Sequence, residues 1–480
     1  MKKLLALGIG ILSLCLGLTN SWAALGATCK WEVRTTGATT NGGFYTAGGT
    51  DYSQQDAAQY ALTGATTAAA NAIILHASAA ANMVGNGLYV VSGTNFIVGW
   101  YEVISVVAGV SITVDRNCTT NAGALGVVNV GGAIDHPNTI STVVVAGNTV
   151  YIQNGTYVKV GANAYVFTAT IPGTSGNPVR WIGYITNHTT ITTGTDRPLI
   201  SGGNNTTNCL LVDALADINS FENLVFYDAT ADGVLGSSGA TGCIFKNCRA
   251  YSNANEGFDI DADGGLFNCE TDTNTGEGIN DSGAGRGVMV GIYAHDNSDN
   301  GIGCDAVTAH LVWFSCISES NVGDGLSSSG ANSEIFASNN LAYNNSGASS
   351  DGFVIDNANG PLDDLILLNN SAVDNGRYGF NSEQAVGAYN IGLFDYNNYN
   401  GNGTAGLLNI TAGLNDNTND PAFTDAPNGN FTITSADTAL KGKGFPQIIQ
   451  GATGDYQWNI GVDQDTNSAS GGGASFFSMN

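Results

Sequence analysis

A glycine followed by an apolar residue returns eight times between Asp232 and Leu407: Gly233-Val234, Gly257-Phe258, Gly278-Ile279, Gly301-Ile302, Gly325-Leu326, Gly352-Phe353, Gly379-Phe380 and Gly406-Leu407. The steps between the glycines are 24, 21, 23, 24, 27, 27 and 27 residues. A period in the twenties that carries no heptad is the signature of a solenoid, whose repeats bury their apolar faces only by stacking on one another.

Aligning the copies on that glycine gives each position a task. Asn253, Asn274, Asn297, Asn321, Asn375 and Asn402 stand four residues before it; Asn223, Asn247, Asn268 and Asn369 stand ten before it, with Ser315 in the same column. Asparagine tolerates left-handed backbone and bonds its own main chain, so both columns read as turns. Twelve before the glycine come Phe221, Phe245, Leu266, Met289, Trp313, Leu367 and Phe394, and nine before it Leu224, Cys248, Cys269, Ile292 and Cys316. These columns face inward. Each repeat is then three short strands joined by turns, and stacking pairs every strand in parallel with its copy about 4.8 Å away. The expected fold is all-β: a right-handed, single-stranded parallel β-helix with three sheets and about eleven coils, its asparagines hydrogen-bonded in file along the axis.

Charged residues make up only 11% of the chain and hydrophobic ones 43%, a balance opposite to that of disordered chains. The net charge of −26 repels nucleic acid and anionic lipid, and repels a polyanionic glycan unless a divalent cation intervenes. Residues 1–23 read as a secretory signal peptide: Lys2 and Lys3, an apolar run from Leu4 to Leu18, then Ser21-Trp22-Ala23 as a small-x-small cleavage site. The run falls short of the roughly 20 apolar residues that a membrane span needs. Eight cysteines follow the signal, an even number that fits disulfides in an exported protein. Cys248, Cys269 and Cys316 share an inward column and read as buried thiols. Cys29 and Cys118 flank the N-terminal region and are the pair best placed for a disulfide.

Residues 24–135 form a small N-terminal β module, with alternating stretches at Gly85–Val91, Asn95–Ile104 and Val110–Asp115 bounded by glycine turns. The Ala-rich stretch from Asp56 to Ala80 is compatible with a helix. The β-helix is expected over 136–415, a C-terminal cap over 416–465 and a Ser/Gly-rich flexible tail over 466–480.

From Ser141 the phrases become specific: Gly147-Asn-Thr-Val-Tyr-Ile-Gln-Asn-Gly-Thr-Tyr157, then Gly173-Thr-Ser-Gly-Asn-Pro178, then Arg197-Pro-Leu-Ile-Ser-Gly202, closing with Asn419-Asp-Pro-Ala-Phe-Thr-Asp425 and Asn459-Ile-Gly-Val-Asp-Gln464. Over roughly 141–464 these resemble the opening coils and C-terminal caps of the pectate-lyase-like superfamily of right-handed β-helix proteins. The resemblance implies action on an extracellular polysaccharide. It also equates the strand after the repeat glycine with the superfamily's first sheet, which carries the active site of its lyases and polygalacturonases.

Outward positions of that sheet hold Asp259, Asn280 and Asn381 in one column and Asp261, Asp305, Asp356 and Glu383 in another; the turn before the glycine holds Asp232, Glu256, Glu277, Asp324 and Asp351, with Asn300 between. Like charges on neighbouring rungs repel unless they are solvated, protonated or bridged by a cation. Calcium takes about six to eight oxygen ligands, which makes Glu256, Asp259, Asp261, Glu277 and Asp281 a candidate calcium site. The plainer reading is that acids are good turn residues and sit solvated. A lyase of this family also needs a Lys or Arg base on the sheet. None falls in the strand positions of any repeat, and Arg286 in the following turn is the nominee. For a hydrolase, two carboxyls about 5 to 9.5 Å apart are required, and Asp261 and Asp305, two rungs apart in one column, stand about 9.6 Å apart by backbone spacing. The polygalacturonase signatures are missing.

The third sheet offers an outward column of Tyr227, Tyr251, Asp272, His295 and Glu319, with Arg249, Glu270 and Tyr293 beside it. Aromatic faces among carboxylates suit sugar rings, and Tyr227, Tyr251, Tyr293, His295 and Asp272 are the candidate carbohydrate contacts; an ordinary exposed sheet surface is the alternative. Two function classes remain: an exported protein that binds or cleaves polysaccharide, or a non-catalytic surface, adhesive or assembly component on the same scaffold.

Overall fold

The computed structural model of the protein describes residues 26–460, apart from 190–196, 206, 261–262, 284, 306–309, 330–333, 356–364, 384–390, 445, 448–455 and 458–459. The expected export signal and tail, and with them Asp261 and Asp356, lie outside the described residues. Three long sheets, one of twelve strands and two of ten, run side by side along one axis. Between rungs the pairing is parallel, and the register is the one the glycine period predicts: Phe258 pairs with Ile279, then Ile302, Leu326, Phe353, Phe380 and Leu407. The expected eleven coils compare with ten strands in the first and third sheets. We number as first the sheet that follows the repeat glycine (Phe258–Ile260 and its copies), as second the twelve-stranded one (Cys243–Lys246 and copies), and as third that of Arg249–Tyr251.

The interior is a column of stacked apolar side chains, with Phe221 on Phe245 at 4.9 Å and Phe353 on Phe380 at 4.6 Å between ring centroids. The two turn columns work differently from one another. Asn223, Asn247, Asn268, Ser315 and Asn369 do adopt left-handed backbone, with φ between 51° and 60°. In the other turn the left-handed residue is one place earlier, at Ser252, Thr273, Asp296, Ser320 and Asp374. This frees the following asparagine to point inward as a ladder member. The side-chain oxygen of Asn274 accepts both the main-chain and the side-chain N–H of Asn253, at 3.0 and 2.9 Å. Asn297, Asn321, Asn345, Asn375 and Asn402 repeat the pattern. The repeat glycines stand against this ladder: a Cβ on Gly278 would meet the Gly301 carbonyl oxygen at 2.5 Å and the Asn297 amide nitrogen at 2.8 Å. Close approach of backbone, rather than an unusual φ, selects glycine there.

The chain does not enter the N-terminal module directly. Lys30–Val33 first lies in the second sheet, parallel to Thr149–Gln153. Between them, Tyr60–Thr67, Ile73–Leu75, Gly87–Phe96, Gly99–Val107, Ser111–Val114 and Thr119–Val130 close into a barrel around Leu62, Ile74, Leu88, Val90, Val103, Ile112 and Val128. The expected helix over 56–80 is absent: this stretch forms two barrel strands. Leu62, Ala65 and Thr67 point inward against Thr119–Val130, with register shifts on either side of Ala65, so cross-strand packing outweighs alanine's helical preference. The expected Cys29–Cys118 disulfide is also corrected. All eight described cysteines are buried free thiols, with Cys29 in the solenoid core and Cys118 in the barrel core. The Cys316 thiol donates to the Met289 carbonyl at 3.4 Å, and burial pushes it up to about 12. At the far end, Phe423–Asp425 and Asn430–Ile433 form a hairpin that packs Phe431 against Leu341 and Tyr343 of the third sheet. Among the described residues, no helix is long and apolar enough to cross a membrane.

Candidate functional site

The residue before each repeat glycine forms a ladder of its own on the edge of the first sheet. Asp232 accepts the main-chain N–H of Glu256 at 3.3 Å, Asn300 that of Asp324 at 2.7 Å, Asp324 that of Asp351 at 2.7 Å, and Asp351 that of Tyr378 at 2.9 Å. A side chain with one methylene puts its oxygen where the next rung's donor lies. Solvated turn acids would not be organised in this way, and Asp351 is wholly buried.

Glu256 and Glu277 depart from the pattern on consecutive rungs. Their extra methylene carries the carboxyl past the next rung's N–H, and Asn300 N–H turns instead to Asp299 at 2.9 Å. The Oε2 atoms of both glutamates are buried and accept no hydrogen bond among the described residues, and the same holds for Oδ1 of Asn280 one rung on from Asp259. Glu277 is 9% exposed; its Oε1 accepts from Asn300 at 2.6 Å. Burial pushes Glu277 up to about 8, with Asp305, Asp299 and Asp259 adding to the rise and Asn300 opposing it. Burial, then the hydrogen bond and charge of Asp232, take Glu256 to about 8 as well. Buried carboxyls hold their protons because the charged form has lost its water.

Other predicted residues fall in varied places. Asp259 is half-buried and receives the Ser282 hydroxyl at 3.2 Å. Asp305 is exposed and accepts from Ser329. Asp281 does not share their face: it pairs with Ile260 and Cys304 in the inward column and is 4% exposed, so it is no neighbour of an outward ligand set. Its carboxylate lies inside, against Gly287 of the second sheet. Arg286 opens a strand of the second sheet, in register with His310, and its own N–H bonds Asp263. It is therefore not a residue of the first sheet. The basic residue that does reach the first sheet's edge is Arg377, two places before a repeat glycine and outside the strand positions searched in the sequence. It grips Asp351 through both oxygens, at 2.9 and 2.6 Å.

On the third sheet the structure brings the predicted contacts together and then covers part of them. Tyr227 stacks on Tyr251 at 4.6 Å and Tyr293 on His295 at 4.2 Å. Arg249 lies over Tyr251 at 4.5 Å and bonds Asp272 at 2.7 Å. Glu270, Asp272 and His295 hold ligand-type atoms within 4.8 Å of one another, the geometry of a metal site, but the Arg249 guanidinium also approaches Glu270 to 3.4 Å and already supplies the positive charge. Burial lowers His295, and the carboxylates of Glu270 and Asp296 outweigh this and raise it. Tyr293 bonds Glu319 at 2.5 Å and lies under Gly429 of the C-terminal hairpin, so Tyr227 and Tyr251 are the more open part of this surface.

With the geometry in hand, the comparisons with known proteins define the class. Residues 211–391 match the family model described as the right handed beta helix region. The protein is a right-handed parallel β-helix. Among solved structures, that of pectate lyase Pel9A aligns at 15% identity, covering 69% of this chain and 91% of its own, with a TM-score of 0.51. A rhamnogalacturonan lyase aligns at 18% identity over 65% of this chain and 92% of its own, with a TM-score of 0.46. The A-module of the mannuronan C-5 epimerase AlgE6 of Azotobacter vinelandii aligns at 13% identity over 60% and 87%, with a TM-score of 0.35. No curated protein sequence matches the chain. The likeness to the pectate lyase, at 15% identity, shows a shared fold and carries no residue roles across.

Proposed function

We propose that this is an exported protein that binds polysaccharide along the first sheet, with a divalent cation such as calcium held around Glu256, Asp259, Glu277 and Asn280. The reading rests on one observation: on two adjacent rungs an otherwise self-satisfied side-chain ladder lapses and leaves two buried carboxyl oxygens without partners, beside a third unpaired oxygen, Oδ1 of Asn280, in the neighbouring strand column. Natural interiors rarely leave such atoms unpaired, and carboxylate and amide oxygens are the donors calcium prefers. When bound, the cation would neutralise the carboxylates and draw a sugar hydroxyl or carboxylate to the face. The chain's own residues do the rest: Asn300 orients Glu277, Ser282 orients Asp259, and Asp305 stands exposed beside them. Export is supported by the pattern of residues 1–23, and polysaccharide as the ligand class by the pectate lyase that shares the fold.

Binding with hydrolysis is favoured over β-elimination. Elimination needs a free basic side chain at the sheet, and Arg377 is tied to Asp351 while Arg286 belongs to the second sheet. Carboxyls in differing environments, one protonated and one exposed, are what acid and base roles require. Calorimetric titration of the full chain with calcium tests the reading: uptake with release of protons at pH 7 is expected, because ligand carboxyls must ionise. A panel of neutral and uronate-containing glycans, scored for binding, for reducing ends and for unsaturated products, then identifies the ligand. No calcium uptake together with no glycan retained on any member of the panel would favour the non-catalytic surface or assembly role.

A further inference from the structure

We infer that Gly303 is a positioning residue: its missing side chain is the seat into which the Glu277 carboxyl folds, and this seat makes rung 277 part of the divalent-cation site, as the aspartate rungs of the same ladder are not. The inference rests on the reading of the first sheet given above. The outward column of that sheet runs Leu235, Asp259, Asn280, Gly303, Ser327, Val354 and Asn381 through successive registers. Gly303 alone in that run has no side chain. It does not carry a left-handed φ, so conformation does not call for glycine there.

Space does. A Cβ at Gly303 would stand 2.2 Å from Oε2 of Glu277 and 2.6 Å from Oε1. Glu277 therefore leaves its own turn, leans across to the next rung and lies where that rung's outward side chain would be. Asn300 holds Oε1 from the side at 2.6 Å, which leaves Oε2 as the unpaired atom. The obstruction concerns the end of a flexible side chain and not backbone, so filling the seat displaces the carboxyl without prising the rungs apart. Compare Asp324, where the outward position on the following rung is Val354: the seat is filled, and the short acid accepts the next N–H instead.

A double-mutant cycle in the full chain tests this, using Gly303→Ala, Glu277→Asp and the two combined. Calcium affinity is read by calorimetry, and stability by urea unfolding in chelator. Gly303→Ala should weaken calcium binding about 10- to 100-fold, the range for a group that orients a ligand, and should lower the urea midpoint. In the Glu277→Asp background the same Gly303→Ala change should leave the midpoint unmoved, because the shorter acid no longer occupies the seat. Equal destabilisation in both backgrounds, or wild-type calcium affinity in Gly303→Ala, overturns the inference. Should Gly303→Ala fail to fold, Glu277→Asp alone decides: it should lose affinity while keeping its stability, and retained affinity counts against the seat. Absence of calcium uptake by the wild type sinks the functional reading, while coupling between 277 and 303 in the urea midpoints still tests the packing separately.

Discussion

Two side-chain ladders flank the repeat glycine, three residues apart in most coils, and they differ in continuity. The inner one, Asn253 through Asn402, passes amide to amide without a gap. The outer one, Asp232 through Asp351, is broken at Glu256 and Glu277. Both could have been closed by short side chains, and only the inner one is. A ladder inside the core leaves unsatisfied groups with no water to turn to, whereas an edge ladder can lapse where a ligand completes it.

Four substitutions break or sharpen this contrast, in falling order of effect. Gly325→Ala drives a Cβ to 2.4 Å from the Gly352 carbonyl oxygen and 2.9 Å from the Asn345 amide; backbone cannot yield as a side-chain tip can, and a loss of about 3 kcal/mol or more in urea unfolding is expected. Asn297→Ala removes the acceptor of two Asn274 N–H groups at 3.1 and 3.0 Å; the side-chain amide keeps the Ala250 carbonyl and Thr271 Oγ1 while the main-chain N–H loses its partner in the core, for about 1–3 kcal/mol. An unchanged midpoint would mean that the inner ladder is decoration. Asp324→Glu opens a second break, beyond the intact Asn300 rung, where Val354 fills the seat; about 1 kcal/mol should be lost with no gain in calcium affinity by calorimetry. The fourth test is one of pH and stands outside that order. Glu256 and Glu277 sit at about 8 in the folded chain against about 4.3 for an unfolded glutamate, so the folded state binds their protons more tightly. The stability they lend is complete below the unfolded value and is lost as pH rises through 8. In chelator, Tm should fall by a few degrees from pH 5 to pH 9, and Glu277→Gln should flatten that slope.

The glycine period, the inward columns and the inner ladder are legible in the sequence because each depends on spacing alone. Where spacing slips, legibility goes with it. Asn345 belongs to the inner ladder yet stands seven residues before Gly352, since its coil is longer, and aligning on glycine passes over it. A second interior ladder, Asn340, Asn370 and Asn397, takes over the column held earlier by Cys248, Cys269 and Cys316. Cys316 N–H bonds Asn340 at 2.8 Å at the changeover. The doubled Asn339-Asn340 and Asn369-Asn370 were its signal. Asp281 was readable too: it lies three places past its glycine, an odd step that turns it inward among Ile260 and Cys304. The outer ladder was visible only as a run of acids. What distinguishes scaffold from candidate site there is a single methylene between aspartate and glutamate, and no count of charge reveals it.

The first strand of the solenoid waits for its partner. Lys30–Val33 is made long before Thr149–Gln153, and the barrel lies wholly between them. The two ends of that inserted body meet: Val33 bridges Ile134, and Gly42 and Gly43 bond Gly131 and Gly132. Closure of the barrel therefore brings the solenoid's opening strand to the place where Thr149–Gln153 pairs with it, and Trp100 of the barrel seals the join against Trp31.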